Sequence, residues 1–195
     1  MDTTIFMDYP YELNMEILNK ELNLHNKESM LDIVADLFAE LQKITRPKAI
    51  YFKAQITAKN EKNVQVDDEI FESQLFGGYV EKGETVFPYI VTVGTELDEY
   101  AKTLTDSMDM FMIDEMMNLL VNIGKVFVFK QVMKETGWEA VQDYVPGNGE
   151  EWSTEEQTRL FNMFGDDTEK IGVTLGKHAF VLPGRSTIGI LSRKK

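Results

Sequence analysis

The stretch DYVPGNGEEWSTEEQTRLFNMFGDDTEKIGVTLGKHAFVLPGRSTIGI, residues 143–190, decides how the rest of the chain is read. Two turns rich in Gly and Pro, Pro146-Gly147-Asn148-Gly149 and Leu182-Pro183-Gly184, flank a marked helix. Ser153 and Glu156 have the spacing of a capping box, in which the hydroxyl accepts from the N3 amide and the carboxylate reaches back. Leu160, Phe161, Met163 and Phe164 supply the apolar face, and Gly165 is a left-handed stop. Glycines in the turns let backbone N–H groups approach a ligand closely. Two ordinary connecting turns are the other reading. Trp152 reads as a staple packed under the first turn, or as a face for a ligand ring.

Working outward, Asp109–Glu135 is the longest helical pattern. It is apolar on most sides, with Asp114, Asn118, Asn122 and Lys125 as a narrow polar stripe, so it is expected to lie centrally. The methionines at 108, 110, 112, 116 and 117 read as adaptable core fillers. Ala49–Thr57 and Thr85–Val93 are strands by alternation and β-branched content. Pro88 places the second at a sheet edge or a strand start. Thr95 reads as the N-cap of a helix reaching Leu104, with Asp98 at N3. Helices are predicted over Tyr11–Leu22 and from Ser29 until Arg46-Pro47. Thr3–Phe6, Val64–Val66 and Ala140–Val145 are candidate short strands, Gly77-Gly78 a break, and Ala179–Leu182 and Thr187–Leu191 the closing strands. The fold class that follows is α+β: a twisted antiparallel or mixed sheet with several helices, one of them long and central.

A length of 195 residues suits one domain, and the chain shows no repeat or linker. The formal net charge of −13 argues against nucleic acid as a partner. Two blocks run against it: residues 43–60 and 171–195 each hold five basic residues and no acid. They read as faces balanced in space by acidic helices, or as a patch for a phosphate-bearing ligand or acidic partner. No membrane span and no signal peptide are read, so a cytoplasmic location is expected. With two histidines and no cysteines, no metal site is expected. Asp114 reads as a boundary residue of the polar stripe or a buried acid. His178 reads as a hydrogen-bonded strand-entry residue, or as a ligand donor that approaches a corrinoid.

Taken in order, PGNGEEWSTEEQTRLF (146–161), IGVTLGKHAFVLPGRSTIGI (171–190), RPKAIY (46–51) and VTVGTELDEY (91–100) resemble the activation domain of cobalamin-dependent methionine synthase. The resemblance covers residues 28–195, after an N-terminal strand and helix segment over residues 1–27. It implies a ligand-binding groove formed by Asp143, Pro146, Gly147, Asn148, Gly149, His178, Pro183, Arg185 and Ser186. The two turns are expected to border the largest groove, with the long helix behind them.

The family's S-adenosylmethionine site uses an arginine three residues before the Pro of a Pro-Gly-Tyr, and that tyrosine. Here those positions are Asp143 and Asn148. A family glutamate on the preceding long helix falls near Asn122 or Ile123. Replacing arginine by Asp143 reverses a charge and removes a planar fork suited to carboxylates. Two functions are therefore expected from the resemblance. In the first, the chain acts with a corrinoid-binding protein or methyltransferase subunit that carries the cobalamin, in reductive reactivation and methyl transfer. In the second, it is a non-catalytic binding or regulatory module that keeps the fold without S-adenosylmethionine.

Overall fold

The computed structural model describes residues 2–147 and 152–195. In chain order the elements are β1 (Thr3–Met7), α1 (Met15–Glu21), α2 (Glu28–Ile44), β2 (Lys48–Phe52), β3 (Ala54–Lys59), β4 (Asn63–Val66), β5 (Glu69–Glu72) and α3 (Gln74–Tyr79). There follow β6 (Thr85–Thr92), α4 (Thr95–Thr103), α5 (Ser107–Thr136), β7 (Val141–Tyr144), α6 (Glu156–Asn162) and α7 (Asp167–Lys170). The chain closes with β8 (Thr174–Leu175), β9 (Val181–Leu182) and β10 (Ser186–Arg193). The fold is α+β. Every strand pair among the described residues is antiparallel. None of the described helices is long and apolar enough to cross a membrane.

β6 is the axis of the main sheet. Its register with β2 runs from Lys48↔Thr92 to Tyr51↔Tyr89 and resumes with β3 at Ala54↔Val86. β10 pairs along its other edge from Ser186↔Thr92 to Ser192↔Val86. Pro88 therefore lies in a central strand, not at an edge or strand start as the sequence suggested. The sheet absorbs the missing N–H on one side only. Pairing with β10 continues through Ile190↔Pro88, and pairing on the other edge lapses at Phe52 and Lys53, opposite Pro88 and Phe87. That lapse splits the expected Ala49–Thr57 strand into β2 and β3.

Alternation along the strands sends side chains to two faces. Ala49, Tyr51, Phe87, Tyr89, Val91 and Leu191 meet Val128 and Val132 of α5. On the other face Ile50, Phe52, Ile90, Ile188 and Ile190 cluster with Trp152, Leu160, Phe164 and Ile171 from the α6 side. The N-terminal half of α5 joins a third cluster with α1, α2 and α4 through Met112, Met116, Leu120, Leu18, Leu37 and Leu97. Close approach of α5 to the sheet depends on Gly124, where a Cβ would overlap the Tyr9 hydroxyl and Val91. Asp106 caps α5 by accepting from the amides of Met108 and Asp109, and Gly137 closes it at φ 73.

Local signals misplace several other boundaries. Gly77 and Gly78 lie inside α3 instead of breaking it; a Cβ on Gly77 would sit 3.0 Å from Val64, so packing on β4 overrides the helix cost of glycine. Gly94, at φ 95, occupies the cap position expected of Thr95. The first helix starts at Met15, because Asn14 caps it by accepting from Ile17 N at 2.9 Å. The capping box does not form: α6 begins at Glu156, and Ser153 Oγ accepts from Glu155 N at 3.2 Å. The segment expected as a strand from Ala179 is strand only from Val181, after a 3-10 turn over Lys177–Ala179.

Candidate functional site

β7 is short and paired only through β10 among the described residues, so its residues alternate cleanly between faces. Tyr144 joins the α6-side core, and Asp143 turns towards α5. There Asp143 accepts a hydrogen bond from the Tyr89 hydroxyl at 2.8 Å and pairs with Lys125 Nζ at 2.7 Å. The Lys125 ammonium also stands 6.0 Å above the Phe129 ring. Burial, and then the charge of Asp143, push the Tyr89 phenol well up, so it stays a donor through neutral pH. Asp143 is thus an internally neutralised carboxylate.

The first turn is fastened to α6. Gln157 Nε2 donates to the Pro146 carbonyl at 3.0 Å, and Gly147 N donates to the Trp152 carbonyl at 2.8 Å. Gly147 has φ 92, and a Cβ there would meet Thr154 Oγ1 at 2.7 Å. Asn148 and Gly149 lie outside the described residues. Trp152 is fully buried, stacked on Phe76 with centroids 5.4 Å apart and edge-on to Phe71, so it supports the turn from beneath.

The second turn is fastened to α5 and to the end of β6. Pro183 is buried. Arg185 directs Nε, at 2.8 Å, and a terminal nitrogen onto Asp114 Oδ1. Ser186 Oγ donates to Thr92 Oγ1 at 2.8 Å. Gly184 and Arg185 border a groove of ≈ 550 Å³ with Asp98, Lys102, Phe111 and Asp114. His178 is exposed, at φ 59, on the connection between β8 and β9.

Among the described residues of this set, Arg185 is the one that borders either of the two large grooves. Asp143 and Arg185 grip α5 at Lys125 and Asp114, about 16 Å apart along the helix at its standard rise. Pro146 and Gly147 line neither large groove. The other, ≈ 590 Å³, lies between the Pro10–Glu12 segment with α1 and the middle of α5, and Asn122 and Ile123 face it. Sequence reasoning missed Lys125 and Tyr89 as partners of Asp143. A usable signal was present in the polar stripe of α5, whose Asp114 and Lys125 carry charges opposite to those of Arg185 and Asp143.

The basic blocks are largely matched by acids: Lys43 by Glu40, Arg46 by Asp8, Lys48 by Glu96, Lys59 by Glu81, Arg185 by Asp114 and Lys195 by Glu84. Among the described residues no group of three His, Cys, Asp or Glu could hold a metal ion. Were an S-adenosylmethionine carboxylate placed as the resemblance implies, it would meet Asp143, whose lysine is already engaged. That donor set does not fit the ligand.

No protein-family model and no curated protein matches the sequence. The chain is similar in structure to the crystal structure of the MetH reactivation domain bound to AdoHcy, at 11% sequence identity and a TM-score of 0.69. The match covers 99% of this chain and 78% of that one. At that identity the likeness concerns architecture, and on that ground this chain has the fold of the MetH reactivation domain.

Proposed function

We propose that this chain, acting as one module over residues 1–195, works with a separate protein that carries a corrinoid, in reductive reactivation and methyl transfer. The supporting observation is the shared fold across 99% of the chain, which reaches into the first 27 residues as well as the region of sequence resemblance. A separate corrinoid carrier belongs to this reading because the resemblance is to the activation domain alone, which supplies only half of such a site. Its class is a corrinoid-binding protein or methyltransferase subunit.

A second reading is favoured by one particular contact. The Lys125–Asp143 pair fills the position where the resemblance implies a free arginine, and Arg185 is already held by Asp114. A chain built this way docks on its partner as a binding or regulatory module and leaves S-adenosylmethionine aside. One experiment separates the two. The tagged full chain is used to capture partners from extract, captured material is scored for the corrinoid absorption bands, and the complex is titrated calorimetrically with S-adenosylmethionine. Corrinoid capture with ligand heat supports the first reading. Capture of a partner with no ligand heat supports the second, and absence of the chromophore defeats the first.

A further inference from the structure

α5 is apolar on most of its sides, and a helix of that kind is normally covered all round. Near its start one stripe is left open. Met110, Phe111 and Asp114 line the ≈ 550 Å³ groove that α5 shares with α4 and the second turn, and Ile113 and Met117 are its buried floor. Phe111 is 57% exposed and Met110 49%, so the groove has an apolar wall beneath a charged rim. A volume in this range suits a small molecule.

The rim carries two ion pairs, and Gly184 lies next to both. Within α4, Lys102 Nζ holds Asp98 Oδ2 at 2.5 Å. Arg185 sets Nε and one terminal nitrogen on the same oxygen of Asp114, Oδ1. This second pair is not used to capacity. Asp114 Oδ2 and the other terminal nitrogen of Arg185 make no hydrogen bond among the described residues. A Cβ on Gly184 would stand in open space, with Asp98 Oδ1 4.0 Å away. The glycine thus keeps a gap between Asp98 and the turn that carries Arg185.

The charges around this gap select against simple ions. A plain anion meets Asp98 and Asp114 as well as the cations, and a plain cation meets Lys102 and Arg185 as well as the acids. A molecule carrying both charges side by side finds a partner for each. The Arg185–Asp114 pair is also exposed enough to exchange partners at little cost.

We infer that this groove binds a zwitterionic α-amino acid with a large apolar side chain. Its carboxylate takes the open edge of the Arg185 guanidinium, and its ammonium takes Asp114 Oδ2 and Asp98 Oδ1. Its side chain lies against Met110 and Phe111. The inference does not depend on a corrinoid partner, since it rests on α4, α5 and the second turn alone.

Calorimetric titration of the full chain with four small molecules tests it. L-phenylalanine should saturate the site below about 1 mM. Hydrocinnamate lacks the ammonium, phenethylamine lacks the carboxylate and glycine lacks the side chain; each should bind at least about tenfold more weakly. Arg185→Ala should weaken L-phenylalanine at least about tenfold by removing the fork that holds its carboxylate. Gly184→Leu should weaken it as much by filling the gap, with unchanged urea unfolding, because the position has open space and no left-handed backbone angle. No heat from L-phenylalanine overturns the inference. Equal binding of hydrocinnamate or phenethylamine overturns it too, since the site would then read a single charge, and equal binding of glycine removes the apolar wall from it. Full affinity in both variants places the molecule elsewhere and overturns it as well.

Discussion

Towards the C-terminal end of α5, Lys125 and Asp143 pair with side chains 22% and 19% exposed, and Tyr89 adds a further hydrogen bond from the sheet. Towards the N-terminal end, Arg185 meets Asp114 with side chains 34% and 40% exposed, at the rim of an open groove. Each pair fastens a C-terminal segment to the same helix. Their energetic meaning differs, because a shielded pair becomes a liability once one partner is removed, whereas an exposed pair exchanges readily with water and salt. The first is architecture standing where a ligand contact was expected. The second leaves a guanidinium that an incoming anion can compete for.

The largest expected effect comes from the contact that sets the shielded end. Gly124→Ala forces a methyl group into Tyr9 and Val91 and should destabilise the fold by about 3 kcal/mol in urea unfolding. A loss near zero would mean that α5 does not pack as closely as its glycine implies. Next, Lys125→Met should lose about 2 kcal/mol, because Asp143 is left half-buried without its cation. The double variant Lys125→Met with Asp143→Leu should recover most of that loss. If it falls further instead, the pair is a net stabiliser and the contrast with Arg185 weakens.

A third test sets Asp143 against Glu156, a shielded carboxyl on the opposite side of the sheet. Glu156 has Arg159 Nε at 3.5 Å, and its Oε2 lacks a hydrogen-bond partner among the described residues. Burial raises its pKa, and Arg159 only partly offsets this. A raised carboxyl pKa gives stability that is present below the unfolded value, about 4.3, and is lost as pH rises through the folded value. Glu156→Gln should therefore raise Tm at pH 7, with the gain shrinking towards pH 4. Calorimetry across that range checks it, and a gain that grows as pH falls would reverse the assignment. The smallest effect belongs to the exposed pair. Arg185→Ala should cost about 0.5 kcal/mol at low salt and almost nothing at 0.5 M salt, as read by paired urea melts.

Much of the frame was legible because its signals are local. The 3–4 spacing of Met30, Ile33, Val34, Leu37, Phe38 and Leu41 gives α2, and Asp106 and Gly137 close a helix already clear from its apolar content. The alternation of Phe87, Tyr89 and Val91 gives β6 and its α5-facing side. The candidate site was less legible. Asp143 was singled out for its charge, but its partners stand 18 and 54 positions away, and nothing in residues 143–149 names them. His178 and Arg185 were grouped by the resemblance, yet one is exposed between β8 and β9 and the other is tied to α5.

The sequence by itself determined the long helices and the two main strand regions, that the sheet has a long helix against it, and that Asp143 brings a negative charge to its turn. These follow from periodicity, turn chemistry and residue type, which act over a few neighbours. The tertiary structure alone decided that Pro88 is central, that Lys125 neutralises Asp143, and that one stripe of α5 stays uncovered. Each depends on which surfaces meet across the sheet. Pairing on two edges can absorb one missing donor, a carboxylate takes the nearest cation whatever its place in the chain, and an apolar stripe is open only when no other element reaches it.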